Sequence, residues 1–157
     1  MSRERFQMTE YEKYMREALL EAAKAESSGE VPVGAVIVRK GQIIGRGHNQ
    51  PISRQDPTAH AEVMALRDAA MRTGNYRLPG ADMFVTLEPC LMCAGACLHA
   101  RLQTLVFGAR DPKSGGVRSL YHLLEDPRNN HHVEVEEGIL ADECRRLLQA
   151  FFQERRS

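Results

Sequence analysis

The sequence of 157 residues contains 21 basic and 21 acidic side chains, so its formal net charge is zero at pH 7. A domain held to nucleic acid by bulk charge typically has a pI above about 9, and the charge balance excludes that class of protein. Any contact with nucleic acid must therefore come from a local patch. Hydrophobic residues make up 43% and charged residues 27%, which is ordinary for a globular protein.

The length predicts a single domain over residues 1–157. The charged start Met-Ser-Arg-Glu-Arg has no apolar stretch behind it and is not a signal peptide. No run approaches the roughly 18 apolar residues that a membrane helix needs. We therefore expect a cytoplasmic protein that does not bind membranes.

The first predicted element is a helix. Thr9 and Glu12 form the pattern of a capping box, which predicts the start of the helix. Gly29 predicts its end. Between them, apolar residues recur with a period near 3.6, as on the buried face of a helix: Met15, Ala18, Leu19, Ala22 and Ala25.

A hairpin follows this helix. The short apolar run 33–38 predicts a buried strand, and Lys40-Gly41 predicts the turn into a second strand over residues 42–47. Residues 49–57 are predicted to form a loop.

The rest of the chain alternates between helices and strands. Pro57 and Gly74 predict the entry and exit of a helix over residues 58–73. The further predicted elements, in chain order, are a strand at 83–87, a helix at 90–100, a strand at 104–108, a loop at 109–116, a short helix at 120–124, a strand at 132–136 and a closing helix with Leu140, Cys144, Leu147, Leu148 and Phe151 on one face. This order predicts a three-layer α/β/α sandwich around a five-stranded mixed sheet.

Three of the four cysteines lie close together, at Cys90, Cys93 and Cys97. A disulfide framework is not expected in a chain of this size without a secretion signal. Cys90 and Cys93 are three residues apart at the start of a predicted helix, so both sulfurs lie on the same face of its first turn. A helix N-terminus favours the thiolate, which is the form that binds zinc.

A second helix start supplies the remaining candidates, His60 and Glu62. With Cys90 and Cys93, His60 completes a set of three protein ligands, and a water in the fourth position is the pattern of a catalytic zinc ion. Two thiolates cancel the charge of the ion, so a nearby base must help to activate the water. Glu62 is placed to be that base, and the alternative is a carboxylate that only favours the helix N-terminus.

A closed structural zinc site with Cys97 as fourth ligand is the main alternative for the cysteines. Cys97 lies seven residues beyond Cys90, a helical rise of about 10 Å, whereas Zn–S distances are near 2.3 Å. We expect Cys97 and Cys144 to pack in the core. The remaining histidines have no partner at metal-binding spacing and are expected at the surface or in packing roles: His48, His99, His122, His131 and His132.

The combination of His60-Ala61-Glu62 with Pro89-Cys90-Leu91-Met92-Cys93 resembles the signature of the zinc deaminases. The resemblance implies that His60, Cys90 and Cys93 bind one Zn²⁺ in each subunit. It also implies that Glu62 takes a proton from the zinc-activated water, passes it to the ring nitrogen of the base and later protonates the departing ammonia.

Other segments resemble the bacterial tRNA adenosine deaminases, and the resemblance runs from Tyr14 to Arg156. The segments are 29–36, 75–78, 85–90, 106–111 and 138–144. The resemblance implies a cytidine deaminase-like fold, hydrolysis of a wobble-position adenosine to inosine, and a homodimer that binds the tRNA anticodon loop across both subunits. No other protein partner is evident. The alternatives are a deaminase of free guanine or cytosine and a non-catalytic RNA-binding subunit.

Two residues are predicted to bind the substrate. Asn49 is similar to a family residue that hydrogen-bonds the flipped nucleoside; its alternative role is to form the turn beside Pro51. Asp111, with Arg110 and Lys113, is predicted to rim the pocket, and the alternative is a solvated loop.

The last helix has a basic end, formed by Arg145, Arg146, Arg155 and Arg156. These side chains could bind phosphates, or they could simply suit the dipole at a helix C-terminus.

Overall fold

Short apolar segments form a sheet of five strands. The computed structural model describes residues 3–156, with side chains described from 10 to 155. The strands are β1 Gly34–Arg39, β2 Gln42–His48, β3 Asp82–Leu87, β4 Thr104–Ala109 and β5 Glu134–Glu137. Their spatial order is β2-β1-β3-β4-β5. β1 is antiparallel to β2 and β3, whereas β4 is parallel to β3 and β5. The predicted mixed sheet is confirmed.

Helices cover both faces of the sheet. They are α1 Arg3–Ser27, α2 Pro51–Arg54, α3 Ala61–Thr73, α4 Leu91–His99 and α5 Ala141–Arg156, and a 3₁₀ helix spans Leu123–Glu125. α1 and α5 pack on one face and α3 and α4 on the other, which confirms the predicted three layers. Within the described residues, no helix combines the length and apolar character needed to span a membrane.

The two central strands are apolar on both sides because each face is covered. On one face, Phe84 of β3 and Val106 of β4 belong to the same buried cluster as Met15 of α1. Val85 and Phe107 face the layer of α3 and α4. A strand that is buried on both faces has a continuous apolar sequence instead of an alternating one.

The predicted start of the first helix is wrong. α1 begins at Arg3 and already includes Thr9, so Thr9 does not start the helix; its side chain, like residues 1, 2 and 157, lies outside what the structure describes. The apolar residues that recur with helical spacing mark only the part of α1 that packs against the sheet. Arg and Glu have favourable helix propensity, and they extend α1 beyond that part.

Two connecting segments also differ from the prediction. The loop predicted at 49–57 contains the short helix α2, which starts at Pro51, where the fixed φ of proline suits a first helical position. The short helix predicted at 120–124 is the 3₁₀ turn at Leu123–Glu125 instead. Asn129 Nδ2 donates to the carbonyl of Leu123 at 2.6 Å and so fixes the segment after the 3₁₀ helix to its first residue.

One edge of the sheet collects the chain segments that build the site. β3 and β4 are parallel, so the residues after Leu87 and after Ala109 leave the sheet at the same edge. Because β1 runs the opposite way, its first residue, Gly34, and the end of β2 at His48 lie there too. The amide of Asn49 donates to Val33 O at 3.1 Å and closes this edge.

Gly34 allows α1 to approach β1 closely. A Cβ at this position would lie 2.0 Å from the carbonyl oxygen of Ala18 and 2.4 Å from the amide nitrogen of Ala22. We expect Gly34→Ala to lower the free energy of unfolding by about 1–3 kcal/mol, the usual cost of overpacking.

The matched control is Gly95→Ala, because a Cβ at Gly95 in α4 would meet no atom within 4 Å. This change should raise the free energy of unfolding by about 0.5–1 kcal/mol, since alanine is the better helix former. Urea unfolding of both variants measures the difference. Equal stabilities would contradict the close approach.

Candidate metal centre and active site

The three predicted metal ligands lie at two helix starts. His60 is the N-cap residue of α3, Cys90 is the N-cap residue of α4, and Cys93 lies in the first turn of α4. Both N-cap residues have extended backbone and neither side chain caps its own helix. The side chains are therefore available to bind a metal. The positive ends of the two helix dipoles favour the thiolate form of the cysteines.

The distances between the ligand atoms fit one zinc ion. His60 Nδ1 lies 3.5 Å from Cys93 Sγ and 3.7 Å from Cys90 Sγ, and all three ligand atoms lie within 4.8 Å of one another. Tetrahedral zinc with Zn–N near 2.0–2.1 Å and Zn–S near 2.3 Å requires N···S separations of roughly 3.6 Å. The structure thus brings together a His/Cys/Cys group with the spacing of a zinc site.

The two thiols are coupled. Donation from the Cys93 thiol lowers the pKa of Cys90 to about 3, and burial of Cys90 only partly opposes this. The same hydrogen bond, together with burial, raises the pKa of Cys93. This hydrogen bond favours ionisation of Cys90 at the expense of Cys93, whereas a dication between them favours both thiolates. The donor set therefore suits a metal ion better than a pair of free thiols.

Glu62 lies in the first turn of α3 with 4% of its surface exposed. Burial raises its pKa to about 7, against the hydrogen bond from its own backbone amide and the charge of His60. A carboxylate that only favours a helix N-terminus does not need to be buried. Burial beside the three ligands instead gives Glu62 a position from which it can exchange a proton with a group at the centre.

The other cysteines belong to the core. Cys97 is fully buried between α4 and the sheet, and it does not belong to the group of ligand atoms within 4.8 Å. Burial raises the pKa of its thiol, which disfavours the thiolate that a metal would need. Cys144 packs on the opposite face of the sheet. Both cysteines thus lie where the core prediction placed them.

Of the other histidines, His131 Nε2 contacts Leu102 O at 2.7 Å. His48 Nδ1 lies 3.6 Å from Glu21, and His132 Nε2 lies 3.7 Å from Glu134.

A cleft of about 180 Å³ opens onto the metal centre. Val31, Val33 and Leu87 form its apolar wall. Its polar lining consists of His60 and Cys90 with Asn49, Glu62, Glu88, Asp111 and Ser114. The volume is slightly larger than the roughly 150 Å³ cavity that takes up benzene, so the cleft accommodates a single ring system.

Asn49 serves the start of α3 as well as the cleft. Its side-chain oxygen accepts a hydrogen bond of 2.8 Å from the backbone amide of Ala61. This bond fixes the side chain beside His60 and fixes which end of the amide remains available. Asn49 can offer its Nδ2 donor to a bound molecule, while its oxygen is already engaged.

The loop after β4 contributes Asp111 to the cleft but not Arg110 or Lys113. Asp111 Oδ1 accepts from the amides of Lys113 at 3.1 Å and Ser114 at 3.2 Å, which shapes the loop. Arg110 instead makes two hydrogen bonds of 2.8 Å to Glu137 at the end of β5. These hydrogen bonds hold Arg110 beside the end of β5 and outside the lining of the cleft, and a place for Arg110 and Lys113 at its rim stays a prediction.

The prediction that all four arginines form one basic end of α5 is wrong, because Arg145 and Arg146 are the fifth and sixth residues of Ala141–Arg156, whereas Arg155 lies about 15 Å further along the helix. Arg145 pairs with Asp142 at 2.6 Å. Arg155 stacks its guanidinium 3.7 Å from the ring centre of Phe151, and a Cβ at Gly29 would lie 3.8 Å from its Nη2. Gly29 lies in the turn after α1, two residues before Val31 of the cleft wall. The side chain of Arg156 lies outside the described side chains.

Sequence reasoning missed several residues of the cleft. Ser114, Val31 and Val33 gave no signal, because a serine in a loop and valines before a strand occur everywhere. Glu88 stands directly before the Pro-Cys pair, but nothing in the pattern indicated that its carboxylate is buried, with 2% of its surface exposed.

The geometry predicts which substitutions remove the metal. Purified protein should contain one zinc ion per chain by elemental analysis, and Cys90→Ala should lose most of it because one of three protein ligands is gone. The matched control is Cys97→Ala, which removes a buried thiol on the same helix and should keep its zinc. Equal loss in the two variants would contradict the three-ligand site.

Comparison with known proteins agrees with this arrangement. The family model of the cytidine and deoxycytidylate deaminase zinc-binding region matches residues 8–109. The tRNA-specific adenosine deaminase of Haemophilus influenzae is 54% identical over 146 residues, which are 92% of this chain and 84% of that protein. The Bacillus subtilis protein of the same name is 50% identical over 149 residues, 95% of this chain and 92% of that protein.

Solved structures separate two groups of relatives. A structure from work on A-to-I editing by tRNA:A34 deaminases superimposes with a TM-score of 0.84 at 43% identity, covering 87% of this chain and 99% of that one. The guanine deaminase of Nitrosomonas europaea superimposes with a TM-score of 0.77, covering 89% of this chain and 83% of that one, and at 24% identity this likeness shows the fold alone. This chain belongs to the family of the tRNA-specific adenosine deaminases and carries the zinc-binding region of the cytidine and deoxycytidylate deaminases.

Proposed function

We propose that the protein hydrolyses the wobble adenosine of a tRNA anticodon to inosine and releases ammonia. The observation that carries this proposal is a cleft sized for one ring system that ends on the His60, Cys90 and Cys93 group and on buried Glu62. Relatives at 50% and 54% identity over most of the chain bear the name of tRNA-specific adenosine deaminases. A tRNA substrate would place the protein in the cytoplasm.

The roles of the residues follow from their positions. Zinc held by the three ligands would acidify a water and hold it against the base. Glu62 would accept a proton from that water and deliver it to the ring nitrogen of adenine. It would then take the second proton of that water from the oxygen now bonded to the ring carbon and pass it to the leaving amino group, so that water and adenosine give inosine and ammonia. A buried carboxylate suits this work because no bulk water competes for the proton.

The small volume of the cleft supports the proposal that it takes up one base of a polynucleotide. Its volume of about 180 Å³ is below the roughly 300–1,000 Å³ of pockets that enclose a whole small molecule. The sugar and phosphates would remain outside, as when a nucleotide is turned out of a single-stranded loop. Asn49 Nδ2 would donate to the flipped nucleoside, and Asp111 would contact it from the opposite wall.

The surface beside the metal centre supports a homodimer. Leu91 and Met92 begin α4 directly after Cys90, yet 41% and 39% of their surfaces are exposed. Leu120 and Tyr121 are also exposed, and they line a neighbouring groove with Leu91. Exposed apolar groups clustered in this way are typical of a subunit contact. A second subunit there would extend the RNA-binding surface next to the cleft.

The proton-transfer role predicts a specific loss of activity. Glu62→Gln should keep its zinc and its fold, but the rate of inosine formation should fall by at least about a hundredfold, the lower end for a general acid–base group. Single-turnover assays with tRNA measure this rate.

The matched control is Glu143→Gln, because Glu143 is also a first-turn helix carboxylate, in α5, and pairs with Arg16 at the surface. It should retain the wild-type rate. Similar rates in both variants would leave Glu62 with the helix-start role alone.

The substrate proposal predicts dependence on salt. An anticodon-loop enzyme must neutralise phosphates, and counterion release makes binding weaken with salt by a slope near −0.7 per phosphate contact on single strands. We expect inosine in a tRNA with adenosine at the wobble position and little turnover of free adenine, guanine or cytosine. Nucleoside mass spectrometry of both reactions measures the products.

Two exposed arginines of α5, Arg145 near its start and Arg155 near its end, offer the variants for this test. Arg145→Gln with Arg155→Gln should raise the KM for tRNA more than it lowers kcat, and it should flatten the salt slope. Efficient deamination of free guanine without inosine in tRNA would overturn the proposal in favour of a free-base deaminase.

A further inference from the structure

Glu88 is a buried carboxylate that binds the loop on the far side of the cleft. Only 2% of its surface is exposed. Oε2 accepts from the backbone amides of Val117 at 3.1 Å, Arg118 at 2.7 Å and Ser119 at 2.9 Å. Oε1 accepts from the amide of Asp111 at 3.0 Å and from the Ser119 hydroxyl. Four amides and one hydroxyl thus converge on one side chain, which leaves it no acceptor for a substrate.

The loop is pressed against the segment that carries the metal ligand. A Cβ at Gly115 would lie 2.4 Å from the Glu88 carboxylate, and a Cβ at Gly116 would lie 2.6 Å from the amide nitrogen of Leu91. The amide of Gly116 also donates to Pro89 O at 2.8 Å. Because these contacts are so close, residues 111–119 pack against the segment that ends in Cys90 with no room for a larger side chain at Gly115 or Gly116.

The bonds of Glu88 therefore hold the wall of the cleft that includes Asp111 and Ser114. All donors but one are backbone amides, so the contact depends on an acceptor at this place and not on the side chains of the loop. In Glu88→Gln, one carboxylate oxygen becomes an amide NH₂, which donates instead of accepting. Backbone amides of the loop would then lose their acceptor, and a buried donor without a partner lowers stability.

We propose that Glu88 is a positioning residue for the nucleotide: it fixes residues 111–119 as the cleft wall that receives the flipped base and thereby sets substrate affinity rather than the rate of proton transfer. This proposal rests on the function proposed above for its kinetic consequence. Its structural consequence, the ordering of the loop by one carboxylate, stands independently of the substrate.

Hydrogen exchange of the zinc-loaded protein tests the structural part. In Glu88→Gln, amide protection of Asp111, Val117, Arg118 and Ser119 should fall by about tenfold or more, as expected when a buried acceptor is lost. The zinc content should stay at one per chain. Unchanged exchange, or loss of zinc together with the loop, would overturn the proposal.

Two matched variants show that the effect is specific. Glu125→Gln removes a partner of the same loop at the surface, where Glu125 pairs with the Arg118 side chain at 2.6 Å; it should change neither exchange nor kinetics, since exposed ion pairs contribute little. Glu30 is a second buried carboxylate, which accepts from the amides of Ile52 at 3.2 Å and Ser53 at 2.7 Å. Glu30→Gln should free those amides and leave 111–119 protected.

Kinetics test the functional part. Glu88→Gln should raise the KM for tRNA about tenfold while kcat changes by less than about threefold, because the chemistry at Glu62 is untouched. Gly115→Ala disturbs the same contact from the side of the loop and leaves every ligand in place, so it should have the same effect. The double variant should show no additive increase, as expected for residues in one contact.

The outcomes are distinguishable. A fall in kcat at constant KM, or full additivity of the two changes, would overturn the role of Glu88. If Glu88→Gln does not fold, Gly115→Ala decides alone. If the wild-type protein forms no inosine in tRNA, the proposed function fails, and the exchange result still decides whether Glu88 orders the loop.

Discussion

The parallel pairing of β3 with β4 is the constraint on which the site depends. Because both strands end at the same edge, one delivers Cys90 and the other delivers Asp111 to a common cleft. The reversed β1 brings Val33 to that edge, and β2 ends beside it with Asn49. The helices that cover one face of the sheet must begin here, so their N-termini meet at the metal ligands. The strand directions in the sheet thus determine both where the positive ends of the two helices lie and where the three ligands meet.

Three buried glutamates show how their surroundings decide what a carboxylate does. For all three, burial opposes ionisation, but Glu88 and Glu30 are surrounded by amides and hydroxyls that outweigh it and lower their pKa values. Glu62 has too few such donors, and burial raises its pKa. The first two are fixed anions that hold backbone, whereas the third is free to exchange a proton. In the lining of one cleft, the same residue type therefore serves as framework at Glu88 and as candidate chemical group at Glu62.

Residues whose role depends on local spacing were predictable, and residues whose role depends on distant contacts were not. Cys90 and Cys93 share a helical turn, so their spacing indicated a common metal, and the structure places His60 beside them. The apolar strands were equally visible, as buried strands carry a continuous apolar pattern. Glu88 instead binds amides some 23 to 31 positions away, and any loop sequence offers amides. The capping pattern at Thr9 was misleading because a helix can continue past a local signal when its charged residues favour helix.

Zero net charge limits how this protein can recognise a polyanion. Ion pairs already occupy much of the basic surface: Arg110 binds Glu137, and Arg145 binds Asp142. Arg155 stacks on Phe151 instead, so its charge is not neutralised by that contact. Without net charge, the sequence-independent electrostatic attraction to a polyanion contributes little, so the proposed function would depend on recognition in the cleft. Under the proposed function, selectivity for one nucleotide would depend on how rigidly the cleft wall is held, which is the role inferred above for buried Glu88.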